Sequence, residues 1–286
     1  MPAPSNIVLT PTSGVAPFSV SISGTDLFER PSYTRKETFT VAAPNSLPAG
    51  WVGTDPTRVD GIIGKGVTCS TTGARYLAAF TTGDTTTAGS NDLWPGSNMV
   101  GLTSIFISLW IKPSSLSQAC LINVIRGSAV APVNPPVSTL AQATIALQTD
   151  GRLTFAISQG GSALRKIVYT ATGAIVNNVW QHVLCQWTSV APGVSVDPPV
   201  IWIDGIKKST TSYVNGNFTT ITPVTNTQGC STIGYGYGPS QTPPANTWGL
   251  CYFNGSICDV YTGATFLSDA DILKYANLPK VELIKV

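Results

Sequence analysis

The sequence predicts an all-β protein: two antiparallel sheets packed face to face, with one short helix near the C-terminus. Three observations carry this expectation. Short apolar runs rich in Ile, Val, Trp and Phe recur between Gly-, Pro-, Asn- and Thr-rich punctuation along most of the chain. Asp-Gly pairs stand at Asp150-Gly151 and Asp204-Gly205, where such runs meet, and are a hairpin signature. A clear helix start occurs only near the end, at Ser268-Asp269-Ala270-Asp271, where Ser268 can accept an amide proton and Asp271 can reach back before Ile272-Leu273-Lys274-Tyr275-Ala276.

Taken in order, residues 1–34 differ from the rest and are expected to form an arm or added strand. The segment Pro11 to Ser23 resembles the opening strand of polycystic-kidney-disease-type immunoglobulin-like repeats, and its Val/Ile alternation needs a partner edge on the main body or on a neighbour. The main domain is expected over 35–286. Gly61, Gly64 and Gly66 mark the start of a strand, and Tyr76-Leu77-Ala78-Ala79-Phe80 reads as the next one. A polar loop from Thr81 to Ser97 carries Asp84, Asn91, Asp92 and Trp94. The run Ile105 to Pro113 then places Ile105, Ile107, Leu109 and Ile111 on one face and Phe106, Ser108 and Trp110 on the other. Both faces are largely apolar, as an inner strand covered on both sides requires.

The hairpins can be placed in register by their hydrophobic pattern, because a slip of one residue exchanges the faces. A two-residue turn at Asp150-Gly151 would set Leu147 opposite Thr154 and Ala146 opposite Phe155. A three-residue loop, Thr149-Asp150-Gly151 with Gly151 left-handed, instead pairs Leu147 with Leu153, Ile145 with Phe155 and Ala143 with Ile157, and is preferred. At Asp204-Gly205 the same reasoning selects the two-residue turn, with Ile203 against Ile206 and Trp202 against Lys207. Between them, Trp180 to Trp187 reads as a strand with Val183, Cys185 and Trp187 on one side and Trp180, His182 and Leu184 on the other.

Composition narrows the function classes. The 286 residues are 43% hydrophobic and only 10% charged, against roughly 25% charged in ordinary soluble domains, so the surface must be built from neutral polar residues. A net charge of +2 without a basic cluster gives no footprint for nucleic acid. No apolar run reaches a membrane span, and the opening Met1-Pro2-Ala3-Pro4-Ser5 does not read as a secretory leader. Cys69, Cys120, Cys185, Cys230, Cys251 and Cys258 show neither C-x-x-C nor zinc spacing and are read as reduced core thiols. The alternative is a Cys251 to Cys258 bridge, which needs an oxidising setting.

Together these segments resemble the concanavalin A-like, laminin-G-like jelly-roll family. The likeness runs in order from about Val59 to Ala276, through Gly61 to Gly66, Phe106 to Pro113, Asp150-Gly151, Trp180-Gln181-His182-Val183, Trp202-Ile203-Asp204-Gly205, Ile233-Gly234, Phe253 to Val260 and Leu267 to Ile272. It implies a two-sheet antiparallel jelly-roll sandwich. The family's glycoside hydrolases carry a Glu-x-Asp-x-x-Glu pattern, whereas the three glutamates here are Glu29, Glu37 and Glu282, outside the matched segments. A glycosidase needs two carboxylates flanking one bond. His182 sits where the family uses histidine for packing, and no Gly-x-Ser-x-Gly elbow occurs, so no hydrolase activity is expected.

A calcium site is common in the family, which makes Asp84, Asn91 and Asp92 the candidate oxygen ligands; calcium is the one cofactor considered. Glycan stacking needs exposed rings, and Trp94, Trp202, Tyr235, Tyr237 and Trp248 are the candidates. These features lead to the expectation of a non-catalytic structural or decoration protein on the surface of a bacteriophage or other virus, made in the host cytoplasm. Its expected partners are capsid or tail proteins, further copies of itself and host-surface glycans, with no nucleic acid and no membrane. The alternative is a carbohydrate-binding or adhesion module of a larger cell-surface protein.

Overall fold

The computed structural model describes residues 35–37, 51–52, 57–62, 65–70, 77–81, 103–126, 141–158, 165–189, 199–215, 218, 229–239 and 248–282. The arm expected over 1–34 lies outside them. In chain order the elements are β1 (Arg35–Glu37), β2 (Trp51–Val52), β3 (Thr57–Asp60), β4 (Lys65–Cys69), β5 (Leu77–Thr81), β6 (Ser104–Pro113), β7 (Ala119–Arg126), β8 (Ala141–Leu147) and β9 (Leu153–Ser158). There follow β10 (Arg165–Thr170), β11 (Gln181–Thr188), β12 (Val200–Ile203), β13 (Ile206–Lys207), β14 (Thr210–Asn215), β15 (Gly229–Ile233), β16 (Tyr235–Pro239), β17 (Trp248–Tyr252), β18 (Gly255–Gly263) and α1 (Asp269–Glu282).

Two large antiparallel sheets form the sandwich. Sheet A runs β13-β12-β11-β6-β18-β4-β3, with β1 also paired to β18; sheet B runs β14-β10-β9-β8-β7-β15-β5-β2. The apolar run with two covered faces is β6, and it lies between β11 and β18 inside sheet A. Ile105, Ile107, Leu109 and Ile111 point into the core between the sheets, where they meet Leu121, Ile145, Leu147, Phe155 and Trp187. Each such fully buried aliphatic side chain contributes roughly 1.5–3 kcal/mol relative to exposure. On the opposite face of sheet A, Phe106 joins Leu184, Trp202, Tyr261, Leu267, Ile272 and Tyr275 in a second apolar layer. Helix α1 supplies Ile272 and Tyr275 to that layer from adjacent turns, which explains why the outward residues of β6 are apolar as well.

Both hairpins have the register that the hydrophobic pattern selects. Leu147 pairs with Leu153, Ile145 with Phe155 and Ala143 with Ile157. The Gln148 N–H donates to the Arg152 carbonyl at 2.9 Å and Gly151 is left-handed at φ 77°, so the loop spans Thr149, Asp150 and Gly151. At the second turn, Ile203 pairs with Ile206 and Trp202 with Lys207. Asp204 and Gly205 have φ values of 54° and 74°, the two left-handed positions that this tight turn requires.

The start of α1 also follows its signal. The Asp271 N–H donates to Ser268 Oγ at 3.2 Å, while the Ser268 hydroxyl donates to Asp271 Oδ2 at 2.8 Å. The ribbon β16–β17 departs from simple two-sheet packing. It lies across the face of sheet B turned away from the core, so close that a Cβ at Gly236 would stand 2.6 Å from Asn123 Cβ and 2.8 Å from Cys120 Sγ. Only a residue without a side chain lets the ribbon approach to that distance.

Candidate functional site

The expected aromatic platforms separate into two groups. Tyr235 is fully buried, its ring 4.6 Å from that of Tyr252, and Trp202 is 6% exposed within the layer beneath α1. Neither ring can stack on a sugar arriving from solvent, which corrects their assignment as platforms. The causes differ: α1 covers the face of sheet A that carries Trp202, whereas Tyr235 belongs to the ribbon β16–β17, which lies against sheet B. Tyr237 and Trp248 lie on the backbone of β16 and β17, but their side chains fall outside the described residues, as does all of Trp94. Asp84, Asn91 and Asp92 lie outside them too. Among the described residues no group of three or more His, Cys, Asp or Glu is placed to hold a metal ion, and no helix is long and apolar enough to cross a membrane.

One polar constellation deserves a chemical test because its residue types are those of a nucleophilic triad. Ser108 Oγ and His182 Nε2 are 2.8 Å apart, and an Asp204 carboxylate is close by. The carboxylate, however, accepts from the backbone N–H of His182 at 2.8 Å and from Gln181 Nε2 at 3.4 Å. Ser108 is 1% exposed and His182 is fully buried, with its ring 5.3 Å from that of Trp110. No acyl group from solvent reaches this serine, so the pair fastens β6 to β11 rather than addressing a substrate. Asp204 in turn joins the tight turn to β11.

The thiols are interior groups. None of Cys69, Cys120, Cys185, Cys251 and Cys258 is in a disulfide, and all five are buried. The Cys251 to Cys258 bridge is not formed: Cys251 turns its Sγ toward the Gly236 carbonyl at 3.5 Å, whereas Cys258 lies on β18 opposite Gly66.

An aromatic and polar cluster that does reach solvent stands at one end of sheet B. Tyr169 on β10 pairs with Thr154 on β9 and with Thr211 on the edge strand β14, and it is half-buried. Arg152, which closes the three-residue loop, lays its guanidinium over the Tyr169 ring at 5.5 Å from the centroid. Its Nε is 2.7 Å from Asp150 Oδ2 and donates to Thr172 Oγ1 at 3.3 Å. Asp150 Oδ1 accepts the Arg152 backbone N–H at 3.2 Å, and backbone bonds from Gly173 to Asp150 and from Ile175 to Gly151, both 2.9 Å, tie the following loop against the hairpin. Gln148 Nε2 donates to Thr154 Oγ1 on the same face. The Arg152 and Asp150 side chains are 20% and 29% exposed, and Thr172 and Thr211 are exposed.

The sequence reading passed over Tyr169 and Arg152 because neither belongs to an aromatic cluster along the chain. The signal that finds them is alternation along β9 together with its pairing to β10. Arg152 shares the outward face with Thr154 because Leu153 and Phe155 face the core, and the β9–β10 pairing sets it diagonal to Tyr169.

The fold defines the class first: a jelly-roll sandwich of the lectin-like kind, with a helix on one sheet and a ribbon on the other. The chain belongs to the Laminin_G_3 family of the concanavalin A-like lectin/glucanases superfamily, whose pattern matches residues 80–273. No curated protein matches it in sequence. Among solved structures it is similar to a mutant of HCR/D, at 12% identity and TM-score 0.52, covering 86% of this chain and 52% of that one. It is also similar to a botulinum neurotoxin type C structure, described by a cell entry dependent upon interaction with two ganglioside molecules, at 16% identity and TM-score 0.50, covering 79% and 46%. Domain 4 of AbnA, a GH43 extracellular arabinanase from Geobacillus stearothermophilus in complex with arabinotriose, is similar at 17% identity and TM-score 0.45, covering 79% and 86%. This chain thus spans about half the length of the HCR/D and neurotoxin structures.

Proposed function

We propose that this chain is a non-catalytic, carbohydrate-binding structural protein mounted on the surface of a bacteriophage or other viral particle. The observation that carries the binding part is the half-buried Tyr169, with a guanidinium over its ring and threonines paired with it on both neighbouring strands at the end of sheet B. A saccharide presents an apolar face of C–H groups and a rim of hydroxyls, and an aromatic ring flanked by fixed polar groups complements both. The ganglioside interaction ascribed to the botulinum neurotoxin type C structure is in keeping with this use of the fold. Fold alone does not assign a function, so the reading rests on the cluster.

The virion part rests on composition and thiol state. A chain with only 10% charged residues can put few charges on its surface, which is in keeping with dense packing against other protein surfaces. The five buried thiols are in keeping with folding in a reducing host cytoplasm before assembly. Residues 1–34 would attach the domain to capsid or tail proteins, and copies of the domain would pack against one another. Screening the purified chain on a glycan array tests the binding. Quantifying it in purified particles tests the mounting: a fixed copy number supports it, and absence from particles refutes it. The second reading, a carbohydrate-binding module of a larger cell-surface protein, is favoured by the half-length match to the HCR/D and neurotoxin structures, and recovery of the chain from a cell envelope rather than from particles would establish it.

A further inference from the structure

The cluster at the end of sheet B has a donor and acceptor balance that narrows its ligand. Asp150 holds the arginine through both its oxygens: Oδ1 accepts the Arg152 backbone N–H and Oδ2 lies 2.7 Å from Arg152 Nε. Among the described residues no acceptor meets the terminal Nη1 and Nη2 amines of Arg152, whose Nε is tied back to Asp150 and Thr172 and whose plane rests over Tyr169. A guanidinium has five N–H donors and no acceptor, and its paired amines match the two oxygens of a carboxylate or sulfate. Holding that fork at Nε before the ligand arrives removes much of the side-chain freedom that binding would otherwise have to freeze. A neutral diol makes only uncharged hydrogen bonds to the same paired amines, which are weaker than those a carboxylate or sulfate makes.

We propose that Arg152 and Tyr169 form a saccharide subsite selective for sugars bearing a carboxylate or a sulfate. The anionic group is taken by Nη1 and Nη2 of Arg152, the sugar ring lies along the exposed edge of Tyr169, and the hydroxyls of Thr172 and Thr211 border the ring. Asp150 is a positioning residue: it aims the guanidinium without touching the ligand. The inference rests on the carbohydrate-binding reading and sharpens it to a ligand class.

The test is calorimetric titration of the full chain with three oligosaccharides on a common backbone: carboxylated, sulfated and neutral. The expected result is that one or both acidic forms bind at least tenfold tighter than the neutral one. The carboxylated and sulfated arms decide which anion is preferred. Arg152→Gln should weaken acidic binding at least tenfold. Arg152→Lys keeps the charge and the ion pair with Asp150 but loses the fork, so it should weaken binding severalfold while the melting temperature stays near that of the parent, which separates recognition from folding. Equal binding of neutral and acidic forms, or acidic binding indifferent to both Arg152 variants, overturns the selectivity while leaving the proposed function standing. Failure of every saccharide to bind overturns both.

Discussion

Gly263 offers a stringent test of the packing between β6 and β18. It stands directly opposite Phe106, and a Cβ there would lie 2.1 Å from Phe106 Cε1, 2.8 Å from Cζ and 2.9 Å from Cδ1. Carbon atoms in contact normally sit at about 3.5–4.0 Å, so the ring would have to retreat by more than about 1 Å. It has nowhere to go: Phe106 is fully buried, its ring is 5.8 Å from that of Tyr275, and Tyr275 is itself packed edge-on against Tyr261 at 5.2 Å. Gly263→Ala should therefore cost about 1–3 kcal/mol as overpacking. Phe106→Ala alone should cost about 3–5 kcal/mol, because it leaves a cavity under α1. In the double variant the added methyl enters that cavity, so the total should fall short of the sum by at least about 1 kcal/mol. Guanidinium denaturation followed by tryptophan fluorescence measures all three as shifts of the midpoint at constant slope. A double variant whose loss equals the sum, or a Gly263→Ala within about 0.5 kcal/mol of the parent, would refute the reasoning.

Three further outcomes follow from the same geometry. Gly151 and Gly173 are both left-handed, but a Cβ meets the Ile175 carbonyl at 2.7 Å in the first and nothing within 4 Å in the second. Gly173→Ala should thus lose only the backbone strain of about 1–2 kcal/mol, and Gly151→Ala should unfold at a clearly lower temperature than Gly173→Ala. Ser268→Ala should lose about 1 kcal/mol of cap stability near neutral pH. Burial raises the Asp271 carboxyl, but hydrogen bonds from Ser268 and Lys274 outweigh it and hold it below its ordinary value. That contribution is present above an unfolded carboxylate pKa of about 3.9 and is lost as pH falls through the folded value, so the Ser268→Ala difference should shrink in strong acid. Burial pushes the Cys69 thiol up to about 12 and raises Cys120 and Cys185 as well, Cys120 with a smaller push from nearby Cys251. Their contribution is intact below an unfolded thiol pKa of about 8.5 and declines as pH rises from there toward the folded values. The denaturation midpoint should fall between about pH 8 and pH 10, and these thiols should react with Ellman's reagent only after unfolding.

Much of the sandwich was legible because strand register is a parity problem. Leu147, Ile145 and Ala143 must share a face with Leu153, Phe155 and Ile157, and one loop length achieves that. The same parity settled Ile203 against Ile206, and the two apolar faces of β6 foretold a cover on each side. The sequence pattern left open what provides the outer covers. That α1 roofs Phe106 and Leu184, and that β16–β17 lies on Asn123 and Cys120, depends on contacts between residues far apart in the chain, which no local period encodes. Trp202 and Tyr235 were misjudged for that reason. Trp202 lies on a face that α1 covers, and Tyr235 lies on the ribbon that packs against sheet B.

The same distinction explains why the exposed cluster escaped a search for aromatic-rich segments. Its parts come from three places, the β8–β9 loop, β10 with the turn after it, and the edge strand β14, and only the pairing of Tyr169 with Thr154 and Thr211 brings them together. A lone tyrosine on a strand carries no signal until its neighbours across the sheet are known. Here the decisive neighbour follows from the pairing of β9 with β10. Leu153, Phe155 and Ile157 face the core, so alternation along the chain puts Arg152 on the outward face with Thr154, where Asp150 holds it over Tyr169. The inward residues of β9 that serve the core therefore also fix the outward face of Arg152, and the three-residue loop adds Asp150, whose carboxylate holds the guanidinium over Tyr169.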